Sequence, residues 1–235
     1  MEENKYIHAG HRERLRERYR EMGADQLADH EVLELLLGYA ILQKDTNPIA
    51  HKLIDQFGSL RGVLDAGEEK LGRTDMIGPA TAFFLSMIPD ITRRYLEQRS
   101  ELDPRLMNPD QCIKFFLPRF VGYRSEGILA AYLDEAKRLI DYAPIGQGYR
   151  NTVHLHAPTL LLEAKKRGAR YVVLAHNHFT DPIPSLEDIS VTRHARESLL
   201  TAGIALLDHV IVCGDKAISM VESGHFALTK PKNDD

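Results

Sequence analysis

The stretch Leu174–Asp188, LAHNHFTDPIPSLED, puts two histidines two positions apart at the end of an apolar run and supplies an aspartate after a proline-containing loop. Residues i and i+2 of a strand face the same side, so His176 and His178 present two imidazoles together while Asn177 points away. Two neutral imidazoles and the carboxylate of Asp188 leave a fourth tetrahedral position open, the pattern of catalytic rather than structural zinc. Zinc lowers the pKa of a water in that position towards about 7, and a nearby carboxylate can take its proton. Such chemistry requires a second acid.

The elements that must position these groups are legible nearby. YVVLA, ahead of the pair, is almost wholly apolar, as a buried strand should be, and delivers the histidines to its C-terminal end. Ser185 suits the N-cap of a following helix, which puts Asp188 at N3. The plain alternative is two ordinary histidines followed by a capping box. His154 and His156 in TVHLHAP repeat the spacing on another expected strand, but no acid follows at a helix start, so they read as structural. His209 in LDHVIV reads as a packed strand residue.

Wider along the chain, the first hundred residues read as helices joined by short turns. His8–Met22 is rich in Arg and Glu, and DHEVLELLLGYAIL carries a leucine stripe with Asp29 as the expected N-cap. NPIAHKLIDQFG has Pro48 near its start and Gly58 past its end, and SLRGVLDAG is a short helix capped by Ser59. In TAFFLSMIPDITRRYLEQR, Pro89 is expected to kink or break the helix. ELDPRLMNPD, near residues 102 to 110, is the expected linker. Beyond it, GILAAYLD, YVVLAHNH and LLDHVIVCG read as strands, while PTLLLEAKKRG and SLEDISVTRHARESLLTAG read as helices ending at Gly168 and Gly203. The expected organisation is α/β (α+β), with a helical domain over 1–103 and a mixed-sheet domain over 110–230.

A hydrophobic fraction of 43% and a charged fraction of 27% belong to an ordinary globular protein. A net charge of −4 excludes a surface that grips nucleic acid all over and leaves room only for a regional basic patch. No apolar run approaches the roughly 18 residues that span a bilayer, and MEENKYIHAGHRER has no signal-peptide core, so a cytoplasmic protein without membrane contact is expected. Cys112 and Cys213 make no CxxC pair and read as reduced, packed thiols.

HNH at 176–178, DPIPS at 181–185, Asp188 and the later LDH at 207–209 together resemble the JAMM motif of MPN-domain metalloproteases, and more closely its bacterial branch, the RadC family. HRERLRERY, DHEVLELLLG, the FGSL turn and the IGPA turn are similar to the helix-hairpin-helix region of RadC proteins, so the resemblance covers nearly the whole chain. It implies a cytidine-deaminase-like mixed sheet with flanking helices, zinc held by His176, His178 and Asp188, and hydrolysis of peptide or isopeptide amides in a protein or peptide substrate. It also nominates Glu126, in SEGILAAYLDEAKRLI, as the acid acting on the water; by chemistry alone Glu126 is one of 34 acids, with Asp134 and Glu135 its rivals. Ser185 takes the place of the family serine that helps hold a tetrahedral intermediate or orient a ligand.

The chain also departs from that pattern. Phe179 stands where RadC proteins usually have proline, the following loop is one residue shorter, and Ala157, Pro158 and Thr159 replace Pro-Arg-Glu at a helix start. Met76, Ile77 and Gly78 stand where the hairpin has GIG, which removes a glycine that lets backbone approach a phosphate and weakens the expected DNA contact of the N-terminal domain. The rival readings are a DNA-associated protein and a metal-free MPN scaffold; retention of the three ligands and the glutamate argues against the scaffold. An HNH nuclease shares only the spelling.

Overall fold

The computed structural model describes residues 3–42, 44–99, 104–147 and 155–225, with side chains from residue 10 onward. The chain divides into two compact units, Met1–Ile91 and Thr92–Asp235.

The first unit is helical: α1 (Glu3–Met22), α2 (Asp29–Ala40), α3 (Asn47–Phe57), α4 (Leu60–Asp65), α5 (Gly67–Gly72) and the start of α6 (Pro79–Arg99). Leu33 and Leu37, one turn apart on α2, meet Ile49 and Leu53 of α3, Val63, Leu71, Ala82 and Leu85 in one core. Gly58 ends α3 at φ 84°, a left-handed cap that a side chain would strain. Ser59 caps α4 by accepting the Gly62 N–H at 3.0 Å. Asp29 does not cap α2: the N-cap is Ala28, whose N–H is taken by Glu31 at 3.0 Å, and Asp29 instead accepts the Leu60 N–H at 2.8 Å. Pro89 does not break α6, which continues through it to Arg99. None of the helices among the described residues is long and apolar enough to cross a membrane.

The second unit carries the sheet. α7 (Pro109–Phe116) is followed by β1 (Gly127–Leu133), β2 (Leu139–Gln147), α8 (Ala157–Lys166), β3 (Tyr171–Asn177), α9 (Leu186–Leu200), β4 (Ala205–Cys213) and β5 (Lys216–Ser219). The order is β2-β1-β3-β4-β5; β3 pairs parallel with β4 and antiparallel with β1, so the histidine strand is central. Val172, Leu174 and Ile211 face α8 and α9 with Leu160, Ala164, Ala195 and Leu199, while Val173, Ala175, Val210 and Val212 face Phe115 and Phe116 of α7. A mixed sheet covered on both faces needs strands apolar throughout, which is why β1 is buried at every position.

Several expectations are corrected. Residues 104–110 do not form a free linker: Leu139 N–H reaches the Pro104 carbonyl, Leu106 N–H reaches that of Lys137, and Asn108 caps α7 by accepting the Gln111 N–H at 2.9 Å. Residues 102 and 103 lie outside the described residues. His156 is not on a strand but is the N-cap position of α8, with Nδ1 2.8 Å from Thr159 Oγ1; His154 lies outside the described residues. Strands β2 and β5, which carry no clean apolar alternation, had no counterpart in the sequence reading.

Candidate metal centre

His176 and His178 leave the C-terminal end of β3, and α9 begins with Leu186 after the loop through Pro184, so strand end and helix start converge. Ligand atoms of His176, His178 and Asp188 all lie within 4.8 Å of one another. His176 Nε2 is 2.7 Å from His178 Nε2, and each of these nitrogens is 3.3 Å from one Asp188 oxygen. Two ring nitrogens that close, flanked by a carboxylate, converge on one point in space. That donor set fits a metal ion.

The surroundings hold each donor in a usable state. His178 Nδ1 is 3.2 Å from the Asp181 carbonyl oxygen, which can only accept, so Nδ1 carries a proton and Nε2 is the ring atom turned to the site. Ser185 caps α9: its Oγ accepts the Asp188 N–H at 3.1 Å and donates to Asp188 Oδ2 at 2.7 Å, while its own N–H reaches the same oxygen at 2.6 Å. The capping box read from the sequence is present, and the carboxylate that closes it lies 3.3 Å from both imidazoles.

Electrostatics follow the same geometry. Burial pushes His176 down to about 4, against the pull of Asp188, which keeps it neutral at physiological pH. His178, less enclosed, is raised by its hydrogen bond to Asp188. Burial alone would raise Asp188, but the bond from His178 and the Ser185 donors outweigh it and hold the carboxyl below its ordinary range.

Glu126 immediately precedes β1. Ile128 pairs with His176, so Glu126, two residues earlier, lies beside the His178 end of β3. Its carboxyl is raised by burial, opposed by His178 and reinforced by Asp188 and Glu187, which shows that it shares their field. Asp134 and Glu135 sit at the other end of the 7-residue strand, roughly 23 Å away at about 3.3 Å per residue, and Asp134 is bonded to Arg138. The structure therefore brings Glu126 to the site and leaves both rivals distant. Phe179, Ile183 and Leu186 are exposed along the loop and first turn that join the histidines to Asp188.

Two residues that the sequence reading set aside belong to the surroundings. Asn177 does point to the opposite face, but its Oδ1 accepts the Gly127 N–H at 2.8 Å and its Nδ2 donates to the Ser125 carbonyl at 3.3 Å, bracketing Glu126 on both sides. His209 is buried on β4, with Nε2 3.1 Å from His176 Nδ1. It reaches that face because of a bulge: β3 partners jump from Leu206 to Asp208, making Leu207 an extra residue that shifts the alternation.

In α1, Arg16 and Arg20 bond to Glu13, Arg18 bonds to Glu31, and Arg12 donates to the carbonyls of Ile41 and Leu42. The arginine run is thus largely committed within its own unit.

Comparison with known proteins agrees with this architecture. Residues 106–225 match the family model described as a RadC-like JAB domain, and residues 8–83 match that described as UPF0758 N-terminal. A UPF0758 protein of Fusobacterium nucleatum is 32% identical over 224 residues, covering 92% of this chain and 96% of its own. Relatives from Geotalea uraniireducens and Bordetella parapertussis, also UPF0758 proteins, are each 32% identical; they cover 90% and 89% of this chain, and 94% of their own lengths. With both halves matched and relatives aligned along nearly their whole length, the chain belongs to the UPF0758 family of RadC-like JAB-domain proteins.

Proposed function

We propose that this protein is a cytoplasmic zinc-dependent hydrolase of the JAMM type that cleaves a peptide or isopeptide amide bond in a protein or peptide substrate. The observation that carries the reading is the convergence of the two imidazole Nε2 atoms and one oriented carboxylate within 4.8 Å. His176, His178 and Asp188 would hold a zinc ion, which when bound would supply a Lewis acid and lower the pKa of a water towards about 7.

The chain's own residues do the rest. Glu126, raised by burial and by the neighbouring carboxylates, takes the proton of the attacking water and returns it to the leaving amine. Ser185 has its hydroxyl on Asp188 Oδ2, which favours a role in orienting that ligand. Asn177 sets the backbone on which Glu126 is carried.

The test is to measure zinc content and hydrolysis of a peptide and isopeptide library for the wild type, Glu126→Gln and Asp188→Ala. Glu126→Gln keeps its zinc and loses roughly 10²- to 10⁴-fold in rate, whereas Asp188→Ala loses zinc and activity together. Full activity in Glu126→Gln removes that residue as the base. Equal zinc in the wild type and a His176→Ala, His178→Ala double variant removes the site. Zinc binding without turnover of any substrate leaves a scaffold.

A further inference from the structure

Behind His176, away from the converging ligand atoms, lies a chain of buried side chains that the proposed hydrolysis does not use. Thr192, fully buried on α9, sits one turn after Asp188, and its Oγ1 is 2.5 Å from the Asp188 carbonyl oxygen. The same Oγ1 is 2.6 Å from His209 Nδ1, and His209 Nε2 is 3.1 Å from His176 Nδ1. We propose that Thr192 and His209 form a one-directional hydrogen-bond relay that fixes His176 in the tautomer whose Nε2 is free to bind a cation, making both of them positioning residues for the metal centre.

The direction follows from counting protons. A carbonyl oxygen has none, so at 2.5 Å the proton between it and Thr192 must be the threonine's own, and that is the only one the hydroxyl has. The remaining acceptor, Met220 Sδ at 3.7 Å, is weak and distant. Towards His209, Thr192 can then only accept, so His209 Nδ1 carries a proton. His209 is 1% exposed, and among the described residues its two ring nitrogens bond to Thr192 and His176 and to no carboxylate, so a doubly protonated ring there is disfavoured and Nε2 is bare. His176 Nδ1 faces that bare nitrogen and must donate to it. The neutral His176 ring therefore keeps its lone pair on Nε2, the atom 2.7 Å from His178 Nε2 and 3.3 Å from Asp188.

Reversing the relay shows what it guards against. If Thr192 donated to His209 Nδ1, His209 Nε2 would carry the proton, His176 Nδ1 would accept it, and His176 Nε2 would hold the hydrogen that blocks metal binding. The Asp188 carbonyl prevents this, so the residue that supplies one ligand also sets the tautomer of another. For His178 the Asp181 carbonyl does the same work directly. His176, too deep for a carbonyl of its own, borrows one through two side chains.

The inference rests on the metal-binding reading above, but its first test does not. Long-range nitrogen–proton NMR on the metal-free wild type, with ¹⁵N-labelled histidine, reports the tautomer of each ring. His176 and His209 are both expected as Nδ1–H with bare Nε2; a His176 protonated on Nε2 overturns the proposal, whether or not the protein binds zinc. The second test is competition with a chelator for zinc, using Thr192→Val, which keeps the shape but removes the hydroxyl, and Thr192→Ser, which keeps it. Thr192→Val is expected to weaken zinc binding roughly 10- to 100-fold while Thr192→Ser restores it. Unchanged zinc affinity in a folded Thr192→Val, or equal losses in both variants, overturns the relay. If the wild type takes up no zinc, the metal reading fails and the NMR result still decides the tautomer.

Discussion

Asn177 Oδ1 accepts the backbone N–H of Gly127 at 2.8 Å, tying the middle residue of the histidine pair to the residue after Glu126. A Cβ at Gly127 would come within 2.7 Å of the Tyr123 ring, so a larger residue there would have to move that ring. Replacing Asn177 by Ala leaves that buried N–H without its partner. Asn177→Ala should cost about 1–3 kcal/mol in chemical unfolding, lower the hydrolytic rate and leave zinc content unchanged. A loss under about 0.5 kcal/mol sinks the claim that the amide holds this backbone.

Ser185 serves α9 and Asp188 with one hydroxyl, so removing it should be visible twice. Ser185→Ala is expected to lower the stability of the metal-free protein by about 1 kcal/mol, through loss of the cap. It should also weaken zinc binding roughly 10- to 100-fold, through a carboxylate less well oriented. Thermal unfolding and chelator competition measure the two separately, and stability loss with unchanged zinc affinity reduces Ser185 to a helix cap.

Met76 has φ 69° and is 47% exposed, a left-handed backbone carrying a side chain that buries little. The position therefore keeps the conformation natural to glycine although the glycine is gone. Met76→Gly should raise stability by about 1 kcal/mol, because relief of the left-handed strain exceeds the entropy glycine adds to the unfolded chain. Denaturant midpoints of the two proteins decide it; a lower midpoint for Met76→Gly contradicts the strain.

Four of the five α1 arginines, Arg12, Arg16, Arg18 and Arg20, are spent on Glu13, Glu31 and backbone carbonyls, so little of their charge is free to displace counterions from a duplex. The 235-residue chain should bind a short duplex with a dissociation constant weaker than about 1 μM at physiological salt. Fluorescence anisotropy is sufficient, and tighter binding that falls steeply with salt would contradict the prediction.

How much of this was legible depended on whether a residue's role was local. The pairing of His176 with His178 follows from strand periodicity, and the place of Asp188 follows from the helix start, so both could be read from fifteen residues. Gly58 and Ser59 were legible for the same reason, since caps are short-range chemistry. Glu126 was not, because its approach to His178 depends on the antiparallel register of β1 against β3; only the family resemblance pointed to it. His209 is the packed strand residue that LDHVIV suggests, but its contact with His176 was not legible, because the bulge at Leu207 changes which face it occupies and no local pattern announces a bulge. Asp29 was assigned as a cap from its residue type, yet the Leu60 N–H, thirty-one residues away, claims its carboxylate. The proline-rich stretch after residue 103 looked like a spacer because sequence does not display its pairing with the β1–β2 turn.

The β3–α9–β4 crossover, which the parallel pairing of those strands makes necessary, has a consequence for how the protein is made. Both histidines, the aspartate, Thr192 and His209 all lie within this one run of chain, the last two separated by 17 residues and the two buried histidines by 33. Only Glu126 comes from further back. β1 precedes this run and pairs with β3, so the last element that the arrangement waits for is β4. The candidate centre is therefore complete only when β4 closes on β3, a parallel pairing across a helix that is among the slower contacts a chain can make.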